Sequence, residues 1–202
     1  MTDFGPEHFI GGRLCIDFCN TADGRETRFV DALAEPADAV RWMTASGAWH
    51  EGDAAALDAS LADTDAWERF HATAHDLREA IYHALTTRMH DGQPAPQALD
   101  GLAGHYRAMA GHAVLTTGAG GQTQLDWSGA DAATRFLAPI VMDAVTLLGE
   151  DNAARLKQCD GERCGWLFLD TSKAGRRRWC DMATCGNVSK ARRHAARKQP
   201  AG

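Results

Sequence analysis

The sequence predicts a mainly α-helical protein that ends in a small module organised by cysteines. Three observations support this prediction. Long segments of the first 150 residues carry apolar side chains at helical spacing. Four of the six cysteines fall within residues 159–185, in two pairs of identical spacing. The charges are also unevenly distributed: residues 155–202 contain 12 Lys and Arg and 4 Asp and Glu, whereas the rest of the chain contains 9 Lys and Arg and 23 Asp and Glu.

Length and composition limit the class of protein. A chain of 202 residues that is 45% hydrophobic can bury a core without cross-links. The N-terminus MTDFGPEHFIGGRL lacks the basic start and apolar run of a signal peptide, and no stretch approaches about 18 uninterrupted apolar residues. We therefore expect a cytoplasmic protein with reduced thiols and no membrane partner.

Two helices are expected in the first half of the chain. One begins at Pro36 and ends before Gly47, since proline suits a first helical turn and glycine a C-terminus. A longer helix, capped by Thr64 or Asp65, runs to about His90. Its apolar face consists of Trp67, Phe70, Ala74, Leu77, Ile81 and Leu85.

The middle of the chain predicts two more helices and a hairpin. One helix follows Pro96 and ends near Gly111, and another spans residues 131–148. Between them AVLTTGAGGQTQLDW reads as two short strands around a glycine-rich turn. The sequence GEDN at 149–152 marks a boundary, so we expect a helical domain at 1–150 and a basic module at 151–202.

The clustered cysteines have the spacing of metal ligands. Cys159 and Cys164 form one C-x4-C pair, and Cys180 and Cys185 form a second, each followed by glycine. Four thiolates complete a tetrahedral Zn²⁺ site with no open position, so the sequence predicts one structural zinc. A four-thiolate iron centre is the alternative.

The residues around these pairs predict a finger. WLFLDTS, from Trp166, reads as a strand that enters a hairpin at the turn SKAG, and a helix follows Cys185. A helix N-terminus favours thiolates because it carries a partial positive charge. Knuckle, hairpin, knuckle and helix together indicate a treble-clef-like or ribbon-like four-cysteine zinc finger.

The basic residues of this module exceed what charge balance at the metal requires. A Zn²⁺ ion with four thiolates has a formal charge of −2, which two cations would neutralise. The excess predicts contact with a polyanion, DNA first and RNA second, while a protein or intramolecular contact is the alternative. The candidate nucleic-acid residues are Arg176, Arg177, Arg178, Lys190, Arg192, Arg193, Arg197 and Lys198.

Polar residues near the N-terminus suggest a site for a small effector. In LCIDFCNT, polar and apolar side chains alternate, so a ligand pocket is one interpretation and a strand end with a turn or cap is the other. Cys15 and Cys19 are expected to be core residues. The candidate pocket residues are Asp17, Asn20, Thr21, Arg25 and Arg28.

A row of histidines on the longest predicted helix could indicate an enzyme. His71, His75, Glu79 and His83 recur at four-residue intervals, which places neighbours on one face. The row drifts by about 40° per step relative to the 3.6-residue period, so it moves away from the apolar stripe. We therefore expect no catalytic residues and no enzyme activity.

Two segments resemble known families. CGWLFLDTS, RRRWC and MATCGN followed by KARRH resemble the CGNR zinc finger, and GGRLCIDFCNT with EPADAVRWM resembles the start of the ABATE domain, found in bacterial proteins described as "putative stress-induced transcription regulators". The resemblance implies zinc on the four clustered cysteines and DNA binding by the basic residues. Val188 departs from it, because it stands where the CGNR motif has arginine.

These observations together predict a DNA-binding transcription regulator. A structural zinc finger would present the basic helix to nucleic acid, while the helical domain would sense an effector or form a homodimer. The alternatives are a zinc-stabilised protein-interaction or RNA-binding module and, less favoured, an enzyme with a site in the helical domain.

Overall fold

The computed structural model describes residues 3–25, 27–49, 52–118, 120–151 and 154–198, with the side chains of the last helix described up to Arg192 and for His194. Seven α-helices lie within these residues. They are α1 (Leu14–Cys19), α2 (Pro36–Ser46), α3 (Asp53–Ser60), α4 (Thr64–Asp91), α5 (Pro96–Ala110), α6 (Ala132–Gly149) and α7 (Asn187–Lys198).

Three antiparallel hairpins accompany the helices in the described residues. They pair β1 (Ala22–Asp23) with β2 (Val30–Asp31), β3 (Val114–Thr117) with β4 (Thr123–Asp126), and β5 (Leu156–Gln158) with β6 (Leu167–Leu169). The expected glycine-rich hairpin is therefore confirmed, and Gly121 in its turn has the positive φ of 81° that glycine tolerates.

The core lies where α4, α5 and α6 pack against one another. The short helix α1 packs against α4 and α6, and its Phe18 meets Trp42 and Phe136 at ring-centroid distances of 5.7 and 6.4 Å. Among the described residues, α6 alone has the length and apolar composition of a membrane span, but its residues from Phe136 to Ala138 are among those buried in this core.

The helices expected at Pro36, after Pro96 and at 131–148 are confirmed. The longest helix is also confirmed, although its cap is Asp63, whose carboxylate accepts a hydrogen bond from the N–H of Ala66 at 3.0 Å. Helix α3 was not anticipated, because its short, alanine-rich sequence has a single buried residue, Leu57.

The N-terminal segment differs from the alternation expected of it. Residues Leu14–Cys19 form a helix whose side chains are buried from Cys15 to Cys19. A short helix that is buried on all sides has no amphipathic stripe, so its sequence does not show the helical period. Its N-terminus is completed by a distant residue, because the Asp143 carboxylate accepts from the N–H of Cys15 at 2.9 Å.

The finger hairpin is formed by a different pair of strands than expected. Strand β6 matches the predicted start at WLFL, but it pairs with the preceding β5, with Lys157 opposite Phe168, and the first cysteine pair lies in the connection. The chain leaves the sheet after β6 because the Asp170 carboxylate accepts from the N–H of Ser172 at 3.0 Å, which forms a turn.

The finger hairpin packs directly on the helical domain. Leu156 and Leu167 belong to the same buried cluster as the helices. The Asn20 side chain makes two hydrogen bonds to the backbone of Leu167, each of 2.9 Å, and the N–H of Leu169 donates to the carbonyl of Gly11 at 2.8 Å. The two sequence segments therefore share one core.

Candidate metal centre and nucleic-acid interface

The four clustered cysteines meet at one point. Their sulfur atoms all lie within 4.8 Å of one another, with Cys164 Sγ 3.6 Å from Cys180 Sγ and Cys180 Sγ 3.8 Å from Cys185 Sγ. A tetrahedral site with Zn–S bonds of about 2.3 Å separates its sulfurs by about 3.8 Å. The four side chains therefore fit one zinc ion as they stand.

The first ligand pair lies on a tight knuckle between β5 and β6. Gly165 follows the pair with a φ of 72°, a left-handed conformation that glycine adopts without strain. Gly161 lies inside the pair and donates its N–H to Cys159 Sγ at 3.4 Å. A Cβ at Gly161 would lie 3.2 Å from Cys185 Sγ, so this position leaves no room for a larger side chain.

The second ligand pair lies at the start of the last helix. A π-helical turn, Met182–Gly186, joins Cys180 to α7 and is capped by the Asp181 carboxylate, which accepts from the N–H of Thr184 at 2.9 Å. Gly186 is buried in this turn, so the second glycine serves packing rather than a left-handed bend. The turn fixes the N-terminus of α7 at the metal centre.

The four ligand thiols are hydrogen-bonded to one another, which changes their pKa values. Hydrogen bonds with Cys164 and Cys180 lower the pKa of Cys159, whereas the hydrogen bond with Cys159 raises the pKa of Cys164. One thiolate among neighbouring thiols is thus stabilised by their protons. Zinc, when bound, supplies the positive charge that holds all four as thiolates.

A buried carboxylate, which the sequence did not reveal as functional, joins the finger hairpin to the loop that precedes the second ligand pair. Asp170 accepts from Lys157 Nζ at 2.8 Å and from the N–H of Arg177 at 2.7 Å. Burial opposes the ionised form, but these bonds and that from Ser172 outweigh it and keep the pKa of Asp170 well below its ordinary value. The only sequence signal was the turn pattern D-x-S.

Two family models match this chain, one after the other, and the first covers more than half of it. A family model for ABATE, described as "Putative stress-induced transcription regulator", matches residues 12–151, and a model for the CGNR zinc finger matches residues 155–198. The chain belongs to the ABATE family. A search of curated proteins returned no match. With the four-cysteine cluster, the second match identifies the metal centre as a CGNR zinc finger that holds one zinc ion.

The arginine run of the CGNR finger divides into different environments. Arg176 is exposed. Arg177 turns inward, where its guanidinium donates to the carbonyl of Cys180 at 2.5 Å and lies 4.6 Å from the centre of the Phe168 ring. Arg178 is on the surface and pairs with Asp160 at 2.6 Å.

The last helix carries the remaining candidate nucleic-acid residues. Lys190 is exposed, and Arg192 pairs with Glu162 of the first knuckle. Arg193, Arg197 and Lys198 belong to α7, but their side chains lie outside the described residues. The structure therefore places Arg176, Arg178, Lys190 and Arg192 on the surface.

The predicted pocket residues of the ABATE domain make bonds within the protein. Asp17 accepts from the N–H of Gly11 at 2.7 Å, and Asn20 bonds to β6. Thr21 accepts from Arg78 at 2.9 Å. Arg25 pairs with Glu79 at 2.5 Å, while Arg28 is exposed. A ligand pocket at these five residues stays a prediction.

The histidine row of α4 is not gathered into one site. His71 lies 3.6 Å from Asp31, and its ring is tilted by 40° against that of Trp67 at a centroid distance of 4.9 Å, whereas Glu79 pairs with Arg25 as described above. His75 and His83 are exposed. These side chains thus occupy separate environments along the helix.

Proposed function

We propose that the protein is a cytoplasmic, DNA-binding transcription regulator whose CGNR finger presents the start of α7 to the DNA backbone. The observation that supports this most directly is the position of α7. It follows directly on the π-helical turn that contains Cys185, so the metal fixes the direction of a basic helix that projects from a small finger. Many zinc fingers present a helix to nucleic acid in this way.

Four exposed cations form the interface that we propose. Lys190 and Arg192 lie on the described part of α7, and Arg176 and Arg178 lie in the loop that precedes the second ligand pair. Arg177 is excluded from this set, because it contacts Phe168 and the carbonyl of Cys180 and serves the finger itself. Phosphate contacts by such side chains supply most of the affinity that is independent of sequence.

The carboxylate partner of Arg192 does not prevent binding. The side chains of Arg192 and Glu162 are 45% and 72% exposed. Exposed ion pairs contribute little free energy because water and salt screen them, so a phosphate group can replace Glu162. The interface is therefore available to DNA without rearrangement of the finger.

The test is recovery of bound sequences from a random duplex DNA pool by the zinc-loaded full chain at near-physiological salt. We expect enrichment of a defined site. The Lys190→Ala/Arg192→Ala double variant should bind more weakly. Its slope of log affinity against log salt should become shallower by about two, because each substitution removes one cation that neutralises a phosphate.

A matched control removes two positive charges elsewhere. Arg69 of α4 and Arg107 of α5 are exposed, and the Arg69→Ala/Arg107→Ala variant should leave affinity and salt slope unchanged. Equal reductions of affinity in both double variants would show that net charge, not α7, governs binding. No retention of duplex DNA by the wild type would refute the proposal and direct the search to RNA and protein partners.

A further inference from the structure

A cleft lies between the N-terminal segment and the zinc finger. Its volume is about 450 Å³, and its walls come from the turn at Glu7 and Ile10, from Asp23 of β1, from the first knuckle and from the start of α7. This volume is within the range of about 300–1,000 Å³ that is usual for small-molecule sites. None of the five residues expected to form an effector pocket lines it.

The floor of the cleft is mainly apolar. Ile10, Trp166 and Val188 line it together with three of the zinc-ligand cysteines. Trp166 is only partly buried, so part of its indole is available to a ligand. An indole surface attracts both apolar groups and cations, because the face of the ring is electron-rich.

The cleft is strongly acidic. Five carboxylates line it, against the guanidinium groups of Arg163 and Arg192. Asp160 and Glu162 pair with arginines, and Asp181 caps the turn before α7, which leaves Glu7 and Asp23. The tetrathiolate zinc site, with a formal charge of −2, adds to this negative potential.

Neither of the two remaining carboxylates has a Lys or Arg partner among the described residues. Glu7 has the adjacent His8 at 3.6 Å, and Asp23 has no Lys or Arg within ion-pair distance among the described residues. Glu7 and Asp23 are both exposed, so a ligand can reach either carboxylate. Partial desolvation raises the pKa of Asp23, although hydrogen bonds with Gly24 and Trp166 oppose this shift. A bound cation would give both carboxylates a partner.

Val188 keeps this cleft open. It occupies the position at which the CGNR motif has arginine, it lines the cleft, and its side chain is 51% exposed. An arginine here would bring a guanidinium group to a cleft that Glu7 and Asp23 also line. Valine leaves both the apolar volume and the negative charge to an external ligand.

We propose that this cleft binds a small organic cation that carries an apolar group. The ammonium group lies between Glu7 and Asp23, and the apolar group contacts Trp166, Ile10 and Val188. Because the ligand touches the N-terminal segment, the first knuckle and α7 at once, it joins the helical domain to the finger. Nucleic-acid binding is not required for this site.

The experiment compares three probes that share a phenyl group and differ in charge: phenethylammonium, 2-phenylethanol and phenylacetate. Each is titrated by calorimetry into the zinc-loaded full chain. We expect phenethylammonium to bind at least about tenfold more tightly than the neutral alcohol, with phenylacetate the weakest of the three. Equal affinity for the cation and the alcohol, or no binding of the cation, overturns the proposal.

Two variants connect binding to this cleft. Val188→Arg should weaken phenethylammonium binding at least about tenfold, whereas Leu115→Arg, which adds the same charge at a 73% exposed position of the β3–β4 hairpin, should not. Zinc content and unfolding temperature verify that both variants are folded. Should Val188→Arg lose zinc, Asp23→Asn provides the same test, and unchanged affinity in the folded variant contradicts the proposal.

Discussion

At the scale of single residues, Asp17 is a buried acid of the helical domain whose pKa is shifted into the physiological range. It lies in α1, which is buried from Cys15 to Cys19, and its side chain accepts a hydrogen bond from the N–H of Gly11 at 2.7 Å. Burial raises the pKa of Asp17 to about 7, and the nearby negative charge of Asp143 acts in the same direction. Folding therefore favours the protonated carboxyl group.

The consequence is a loss of stability as the pH rises. The unfolded chain releases the Asp17 proton near pH 4, whereas the folded chain keeps it up to about pH 7, so this group's contribution decreases as the pH rises through the folded pKa. Asp17→Asn should remove the effect, because the amide oxygen can still accept from Gly11. Between about pH 6 and about pH 8, the wild type should lose about 1.4 kcal/mol more unfolding free energy than Asp17→Asn.

Urea unfolding at both pH values measures this difference, and the range avoids the acidic conditions that release zinc. Asp3→Asn is the control, since Asp3 is exposed and its substitution should leave the pH dependence of the wild type intact. Parallel pH profiles for the wild type and Asp17→Asn would show that Asp17 is ionised throughout and that the proposed cause is wrong.

At the scale of elements, the first knuckle supplies carboxylates to the basic surface. Asp160 pairs with Arg178, and Glu162 pairs with Arg192 of α7. If α7 contacts DNA as proposed, Glu162 competes with phosphate for the Arg192 guanidinium. The acidic residues of the knuckle then limit the affinity of the finger for nucleic acid.

Glu162→Gln should accordingly strengthen DNA binding. The exposed pair between Arg192 and Glu162 contributes about 0.5 kcal/mol. Its removal frees the Arg192 guanidinium for phosphate and should therefore raise the affinity for DNA two- to threefold. Electrophoretic mobility shifts at fixed salt measure the change. Glu68→Gln, at an exposed position of α4, removes the same charge far along the chain and should have no effect, and a similar gain in both variants would mean that only net charge matters.

The elements also show which features the sequence could reveal. The amphipathic helices and the zinc ligands were predictable, because their signals are local: apolar residues at helical spacing and two C-x4-C pairs. Helix α1 was not predictable, because a hydrogen bond at its N-terminus is accepted by Asp143, which lies 128 residues away in the sequence. The predicted strand pairing in the finger was wrong because β5 is only three residues long, which is too short for its sequence to indicate a strand.

The candidate site shows the same limit. The zinc ligands could be assigned from the spacing of the cysteines. The inward position of Arg177 could not be predicted, because it is the middle one of three successive arginines, which differ only in their contacts in the folded protein. The cleft beside Val188 was equally hidden. Its walls come from parts of the chain that are far apart, so only the folded structure shows Glu7 and Asp23 next to the finger.

At the scale of the whole molecule, the two family segments are not independent bodies. The finger hairpin contributes Leu156 and Leu167 to the main core, and Asn20 of the helical domain holds the edge of β6. Hairpins of this length are only marginally stable alone, so β5 and β6 depend on both the metal and the helical domain. Zinc therefore stabilises more than the finger.

Removal of zinc should lower the stability of the helical domain as well. Without the metal the hairpin loosens and exposes the apolar surface around Leu156 and Leu167, so the helical signal in circular dichroism should melt at a temperature lower by about 10 °C or more. The measurement is a thermal melt of the full chain before and after chelation. The Cys180→Ser variant, which lacks one of the four zinc ligands, should have the same melting temperature as the chelated wild type, and chelator should not lower it further.

The alternative is a helical domain that folds without the finger. In that case chelation would leave the main melting transition unchanged, and hydrogen exchange would increase only in residues of the finger. If the core is shared, the amides of α1 should lose protection along with those of β6, because Asn20 joins the two elements directly. The exchange rates of α1 therefore decide whether zinc binding is communicated from the finger to the rest of the molecule.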